Sequence, residues 1–187
     1  MKYIIGCDEV GLGSWAGPFY ACAVAVPEGW HVPGLDDSKA LGPTERAALY
    51  TQLYAVPHRI ARAEVRCIDG MGIRPTLIEC HSMVIEALLR EYPDAAVVVD
   101  GIVHLPRLPH AQLVKKADSL YPAVMAASVI AKHSRDAEMQ ALHQRYPHYG
   151  WDTNMGYHSK KHVAGLASHG LSPEHRLSYE PMKSMQG

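Results

Sequence analysis

Residues 3–26, YIIGCDEVGLGSWAGPFYACAVAV, decide the fold. An apolar run (Tyr3, Ile4, Ile5) leads into two adjacent acids, Asp8 and Glu9, then into Gly11, Gly13 and Gly17, and after Pro18 into a second apolar run. Short apolar runs bounded by Gly and Pro read as buried strands, so the stretch predicts strands over 3–7 and 19–26 joined by a glycine loop. A dinucleotide fingerprint is one alternative, because Gly11-x-Gly13-x-x-Ala16 follows a strand and Asp36 lies about twenty residues further on. That motif needs a helix N-terminus facing the pyrophosphate. Pro18 and FYACAVAV supply a strand instead, and Asp8-Glu9 repel a phosphate. A strand hairpin therefore opens the chain, and its glycines mark a place where something comes close to the backbone.

The rest of the chain extends that hairpin into an α/β pattern. RIARAEVRCI (59–68) alternates like a third strand, Gly42-Pro43 punctuates a helix start before TERAALYTQLYA, and PTLIECHSMVIEALLREY (75–92) has helical apolar spacing with Pro75 in its first turn. AAVVVD (95–100) reads as a short buried strand ended by Gly101, AQLVKKA (111–117) as a fifth strand, and residues 122–146 as a long helix. A hairpin combined with parallel crossovers predicts a mixed five-stranded sheet flanked by helices. With 187 residues and 48% hydrophobic content, one domain over 1–187 is expected, with a helical C-terminal segment from about 147.

Charge narrows the function classes. The net charge is −1 and the twelve histidines are scattered, so no global basic field makes the chain bind nucleic acid unselectively. Any such binding is local, and Lys132, Arg135 and Lys160-Lys161 offer either a phosphate strip or a solvated face. His158 and His162 lie four apart without a third ligand and are not read as metal ligands. Cys7, Cys22, Cys67 and Cys80 have no C-x-x-C spacing, and no leader or membrane-spanning run is evident. A reducing, cytoplasmic setting is expected, with the cysteines as core residues.

The acids then stand out by position. Asp8 and Glu9 close the first strand, Asp100 closes VVVD, and Asp118 precedes the long helix, so four carboxylates gather at strand ends, where α/β sheets bind ligands. Singly, Asp100-Gly101 reads as a turn, Asp118 as a helix cap and Glu9 as a solvated rim. Together they repel one another unless hard cations neutralise them, and oxygen donors suit Mg²⁺ or Mn²⁺. Two such ions about 3.5–4 Å apart are suited to phosphodiester hydrolysis.

These residues resemble ribonuclease HII, the type 2 ribonuclease H family. The resemblance runs from about Ile4 to Pro181. It rests on D-E-x-G-x-G-x-x-A-G-P (Asp8 to Pro18), D-S-K (Asp37 to Lys39), V-V-V-D-G (Val97 to Gly101) and K-A-D-S-x-Y-P-A-V-x-A-A-S-V-I-A-K (Lys116 to Lys132). Y-P-x-Y-G (Tyr146 to Gly150), Gly156-Tyr157 and S-P-x-H-R-x-S-Y (Ser172 to Tyr179) follow in order. It implies an RNase H-like fold and an endonuclease that hydrolyses the RNA strand of RNA–DNA hybrids, nicks 5′ of ribonucleotides embedded in duplex DNA, and serves replication and repair. Asp8, Glu9, Asp100 and Asp118 are then the catalytic metal ligands, for two Mg²⁺ or Mn²⁺ ions. Gly11-Leu12-Gly13 contact the ribose 2′-OH through the backbone, Tyr157 packs on the neighbouring deoxyribose, and Lys39 meets a phosphate. Leu12 departs from the family, which usually has Arg there. A monomer is expected, without a readable sliding-clamp peptide. The alternative is a catalytically inactive RNase H-like protein that binds hybrids without cutting them.

Overall fold

The computed structural model describes residues 1–35 and 42–186. Five strands, β1 (Tyr3–Val10), β2 (Phe19–Pro27), β3 (His58–Ala63), β4 (Ala96–Asp100) and β5 (Gln112–Val114), form one sheet in the order β3-β2-β1-β4-β5. The β1/β2 and β2/β3 pairs are antiparallel, and β4 runs parallel to both β1 and β5. The expected mixed α/β sheet is present.

Both faces of the sheet are covered, which is why FYACAVAV is apolar throughout rather than alternating. Helix α3 (Ile73–Leu89) packs Leu77, Val84, Ile85 and Leu88 against Ile5, Cys7, Ala21 and Ala23 on one face. The other face holds Cys22, Val24 and Val26 under Leu49 and Leu53 of α1 (Pro43–Leu53) and the alanine-rich α4 (Pro122–Arg145). Contact there is close: a Cβ on Gly6 would lie 2.3 Å from the Ala123 carbonyl carbon and 2.4 Å from the Val124 nitrogen. Only glycine lets the start of α4 sit directly on β1, two residues before Asp8. Strand alternation then points Asp8 toward α4 and Glu9 toward α3.

Two element ends differ from the sequence reading. The third strand stops at Ala63, and α2 (Val65–Met71) follows because Val65 and Ile68 are buried together at i, i+3 spacing, a helical rather than period-two match. The fifth strand ends at Val114. Lys116 adopts a left-handed conformation (φ 59°, ψ 36°) and turns the chain into a 3₁₀ turn over Ala117–Ser119.

Beyond α4 the chain forms a 3₁₀ turn (Pro147–Tyr149), α5 (Trp151–Asn154) and α6 (Lys160–His169). Ser159 caps α6 by accepting the His162 amide at 3.0 Å. This segment buries Trp151, Leu166 and Met182 against Met139 and Leu142 of α4 and against Ala16. It reaches back to the glycine loop: the Trp15 amide donates to Gly156 and the Gly17 amide to Glu174, both at 2.8 Å, and Ala16 bridges His175. No helix among the described residues is long and apolar enough to cross a membrane.

Candidate active site

The parallel register Cys7↔Val99 leaves Asp8 and Asp100 side by side at the end of the β1/β4 ladder. The turn at Lys116 brings Asp118 in from the third side, and carboxylate oxygens of Asp8, Asp100 and Asp118 all lie within 4.8 Å of one another. Asp8 and Asp118 are 4% and 2% exposed. Asp8 and Asp100 are fixed locally: Asp8 accepts from Ser128 and from the Glu9 amide (2.7 Å), and Asp100 Oδ1 accepts from the Ala117 amide at 2.7 Å. That last bond explains the short fifth strand, since the chain must turn for Ala117 to reach Asp100.

Burial first, and the Glu9 charge second, push Asp8 up to about 8, and burial likewise raises Asp100. Desolvated carboxylates at this spacing call for a proton or a cation, and an all-oxygen donor set fits a hard divalent ion. Glu9 is not part of the triad. Its carboxylate faces α3, where Oε2 lies 3.2 Å from His81 Nε2.

The glycine loop sits beside the triad, held from behind by two buried arginines. Arg135 of α4 donates from Nε to the Pro18 carbonyl (2.9 Å), from Nη1 to Met155 (2.9 Å), and from Nη2 to Ser14 Oγ (2.8 Å) and Ala16 (3.2 Å). Arg176 donates to the carbonyls of Gly17 (3.1 and 3.0 Å) and Leu12 (3.2 Å), and Tyr179 also donates to Leu12 (2.7 Å). With φ at +90° and a would-be Cβ 2.4 Å from Arg135 Nε, Gly11 is confined to glycine. Its amide donates to Tyr157 Oη at 3.2 Å, so two sequence-predicted substrate residues are joined directly. Leu12 is 42% exposed, and the space around Gly13 is open. The amides of Leu12 and Gly13 have no partner among the described residues.

Asp36 and the D-S-K triplet with Lys39 lie outside the described residues. The phosphate strip is not assembled as read: Arg135 is wholly buried, and Lys132 is tied to Asp136 at 2.6 Å, while Lys160 and Lys161 are exposed. Arg176 and His81 had no assigned role in the sequence reading, and Arg135, read there as part of a phosphate strip or a solvated face, instead braces the glycine loop from the core. For Arg135 a signal existed, because it shares the stripe Ala131, Arg135, Met139, Leu142 on α4.

Tyr157 is also held from below, through buried histidines. His162 Nδ1 lies 2.9 Å from the Tyr157 carbonyl, which only accepts, so Nδ1 carries the proton. His162 Nε2 then accepts from the Trp151 indole (3.2 Å) and from His175 Nε2 (3.0 Å), and His175 Nδ1 accepts from the Ser172 amide (2.9 Å) and hydroxyl (2.8 Å). The bonds accepted at His162 Nε2 and His175 Nδ1 require both rings to be neutral. Burial holds both below the usual histidine range, His175 at about 4. Below the unfolded value of about 6.5 the unfolded chain takes up a proton that folded His175 refuses. The stability contributed is therefore complete above about pH 6.5 and is lost toward pH 4, on the order of 2 kcal/mol by pH 5. Denaturant unfolding of wild type and His175→Gln between pH 7 and 5 checks this. The wild type should lose stability more steeply, and equal slopes would contradict the relay.

The architecture is that of the type 2 and type 3 ribonucleases H. The ribonuclease H2 of Pyrococcus horikoshii OT3 matches with a TM-score of 0.80 at 23% identity, covering 98% of this chain and 97% of that one. Bst-RNase HIII in complex with Mn²⁺ matches with a TM-score of 0.76 at 21% identity, covering 98% and 69%. Within that class the sequence is decisive: the family model described as Ribonuclease HII matches residues 5–182, and the Ribonuclease HII of Sphingopyxis alaskensis is 40% identical over 185 residues, 98% of this chain and 91% of that protein. The chain belongs to the ribonuclease HII family and is a ribonuclease H endonuclease.

Proposed function

We propose that this endonuclease hydrolyses the RNA strand of RNA–DNA hybrids and nicks 5′ of single ribonucleotides in duplex DNA, leaving 5′-phosphomonoesters. Asp8, Asp100 and Asp118, joined by Glu9, hold two Mg²⁺ or Mn²⁺ ions when substrate is bound, a role in keeping with the Mn²⁺ carried by the type 3 structural relative. Such ions lower the pKa of a bound water and stabilise the leaving oxygen. The chain's own residues do the selecting. The Leu12 and Gly13 amides, without a partner among the described residues, are left to read a 2′-OH, and Tyr157, tethered to Gly11, offers its ring to the adjacent sugar. The observation that carries the reading is the Gly11–Tyr157 bond, which couples the sugar-reading loop and the tyrosine into one unit beside the acids. One domain acting as a monomer in the cytoplasm suits this activity, and the four free cysteines fit a reducing compartment.

The test is a labelled duplex containing one ribonucleotide, incubated with Mg²⁺, Mn²⁺ or EDTA. Nicking on the 5′ side only with metal is expected. Binding without nicking in any metal would leave a scaffold that binds hybrids, and uncut hybrid would contradict the proposal.

Leu12 puts an apolar side chain where the family usually has a guanidinium, and its exposure places it at the loop surface. Leu12→Arg is expected to tighten binding of that duplex in Ca²⁺ and to steepen log affinity against log salt by roughly 0.9. An unchanged slope and affinity would rule out a phosphate contact at this position.

A further inference from the structure

Asp8 and Asp100 are each oriented by hydrogen bonds, whereas the Glu9 carboxylate lies near those two acids and has His81 as its one oppositely chargeable partner among the described residues. His81 lies on α3 with its side chain 2% exposed, next to Cys80 and one turn from Leu77, Val84 and Ile85 of the apolar core. At 3.2 Å its Nε2 is within ion-pair distance of Glu9 Oε2 but off the line of a hydrogen bond, and neither ring nitrogen is hydrogen-bonded among the described residues. A leucine would fill this site without stranding two polar atoms. An imidazole aimed from the core at one carboxylate is explained if that carboxylate is its working partner.

We propose that His81 is the positioning residue for Glu9: its Nε2–H holds Oε2 and leaves Oε1 for a divalent cation shared with the aspartate triad. A small rotation of the Glu9 carboxylate aligns the bond. The arrangement is that of a ligand oriented by an outer partner, whose loss typically weakens metal binding 10- to 100-fold. The inference rests on the proposed role of Glu9 as a ligand.

The experiment uses the full chain and Mn²⁺ as the probe. Calorimetric titration of the substrate-free protein should give about tenfold weaker Mn²⁺ binding for His81→Leu than for wild type. The Mn²⁺ concentration for half-maximal cleavage should rise by a similar factor, with kcat at saturating Mn²⁺ changed far less. His81→Gln, which keeps a side-chain N–H for Glu9, should recover most of the affinity. In a Glu9→Gln background His81→Leu should have no further effect on Mn²⁺ binding. Tight wild-type binding left unaltered by His81→Leu, or loss that His81→Gln does not recover, would overturn the role of His81 alone. A wild-type protein that neither binds Mn²⁺ nor cuts would instead overturn the carboxylate-site reading beneath it. If His81→Leu fails to fold, the His81→Gln and Glu9→Gln titrations still decide: equal Mn²⁺ affinity for wild type and Glu9→Gln would overturn the proposal.

Discussion

Asp8→Asn is expected to abolish cleavage and, at the same time, to raise the melting temperature of the metal-free protein. The two effects have one origin. Asp8 is 4% exposed, and burial together with the Glu9 charge pushes it up to about 8. The folded protein thus holds a proton that the unfolded chain releases above about pH 4, so metal-free stability falls as pH rises from about 4 to 8. Asparagine keeps an oxygen for Ser128 and the Glu9 amide but has no charge to desolvate. The gain at pH 7 should be about 4 kcal/mol at most, or roughly 8–16 °C for a chain of this size. The variant should also lose the wild-type decline between pH 5 and 8. Thermal melts in EDTA across that range check the sign. A variant less stable than wild type at every pH would mean that Asp8 serves the fold rather than the site.

Arg135→Met is expected to be the most damaging substitution outside the carboxylates. The thioether fills most of the aliphatic space but donates nothing, leaving the carbonyls of Pro18, Met155 and Ala16 and the Ser14 hydroxyl without the guanidinium that joins them. Burial pulls this arginine down to about 10, so it still carries its charge at neutral pH. Breaking a buried charged network of this kind costs about 3–5 kcal/mol. That corresponds to a fall in melting temperature of roughly 10 °C. Where folded protein is recovered at low temperature, KM for the one-ribonucleotide duplex should rise more than kcat falls, because Gly11 and Tyr157 lose their common backing. A fall of less than about 2 °C would contradict the network, and it is read from the same melts.

The sheet was legible because its strands are buried on both faces and carry unbroken apolar runs, as FYACAVAV does. The acids were legible because each falls at a strand end or turn. Other features depend on contacts that no local pattern encodes. Glu9 and Asp8 are adjacent in sequence, yet the pleat sends them to opposite faces, and only the register of α3 puts His81 against Glu9. The end of β5 was misread because Asp100, seventeen residues away, accepts the Ala117 amide and turns the chain there. Arg176 entered the sequence reading only within the motif S-P-x-H-R-x-S-Y. It is buried because its guanidinium donates to backbone carbonyls 159 and 164 residues distant.

The central claim is that the aspartate triad holds the divalent cations that cut the phosphodiester, and Asp100→Asn tests it most directly. Asparagine preserves size and an oxygen acceptor for the Ala117 amide while removing the charge that anchors a cation. The measurement is the single-turnover cleavage rate of a one-ribonucleotide duplex over a range of Mg²⁺ and Mn²⁺ concentrations, with circular dichroism on the same samples. The account predicts an unchanged folded spectrum with cleavage slowed roughly 10³-fold or more at every metal concentration, equivalent to about 4 kcal/mol of transition-state stabilisation. A folded Asp100→Asn variant that cuts at near wild-type rate in either metal would contradict it.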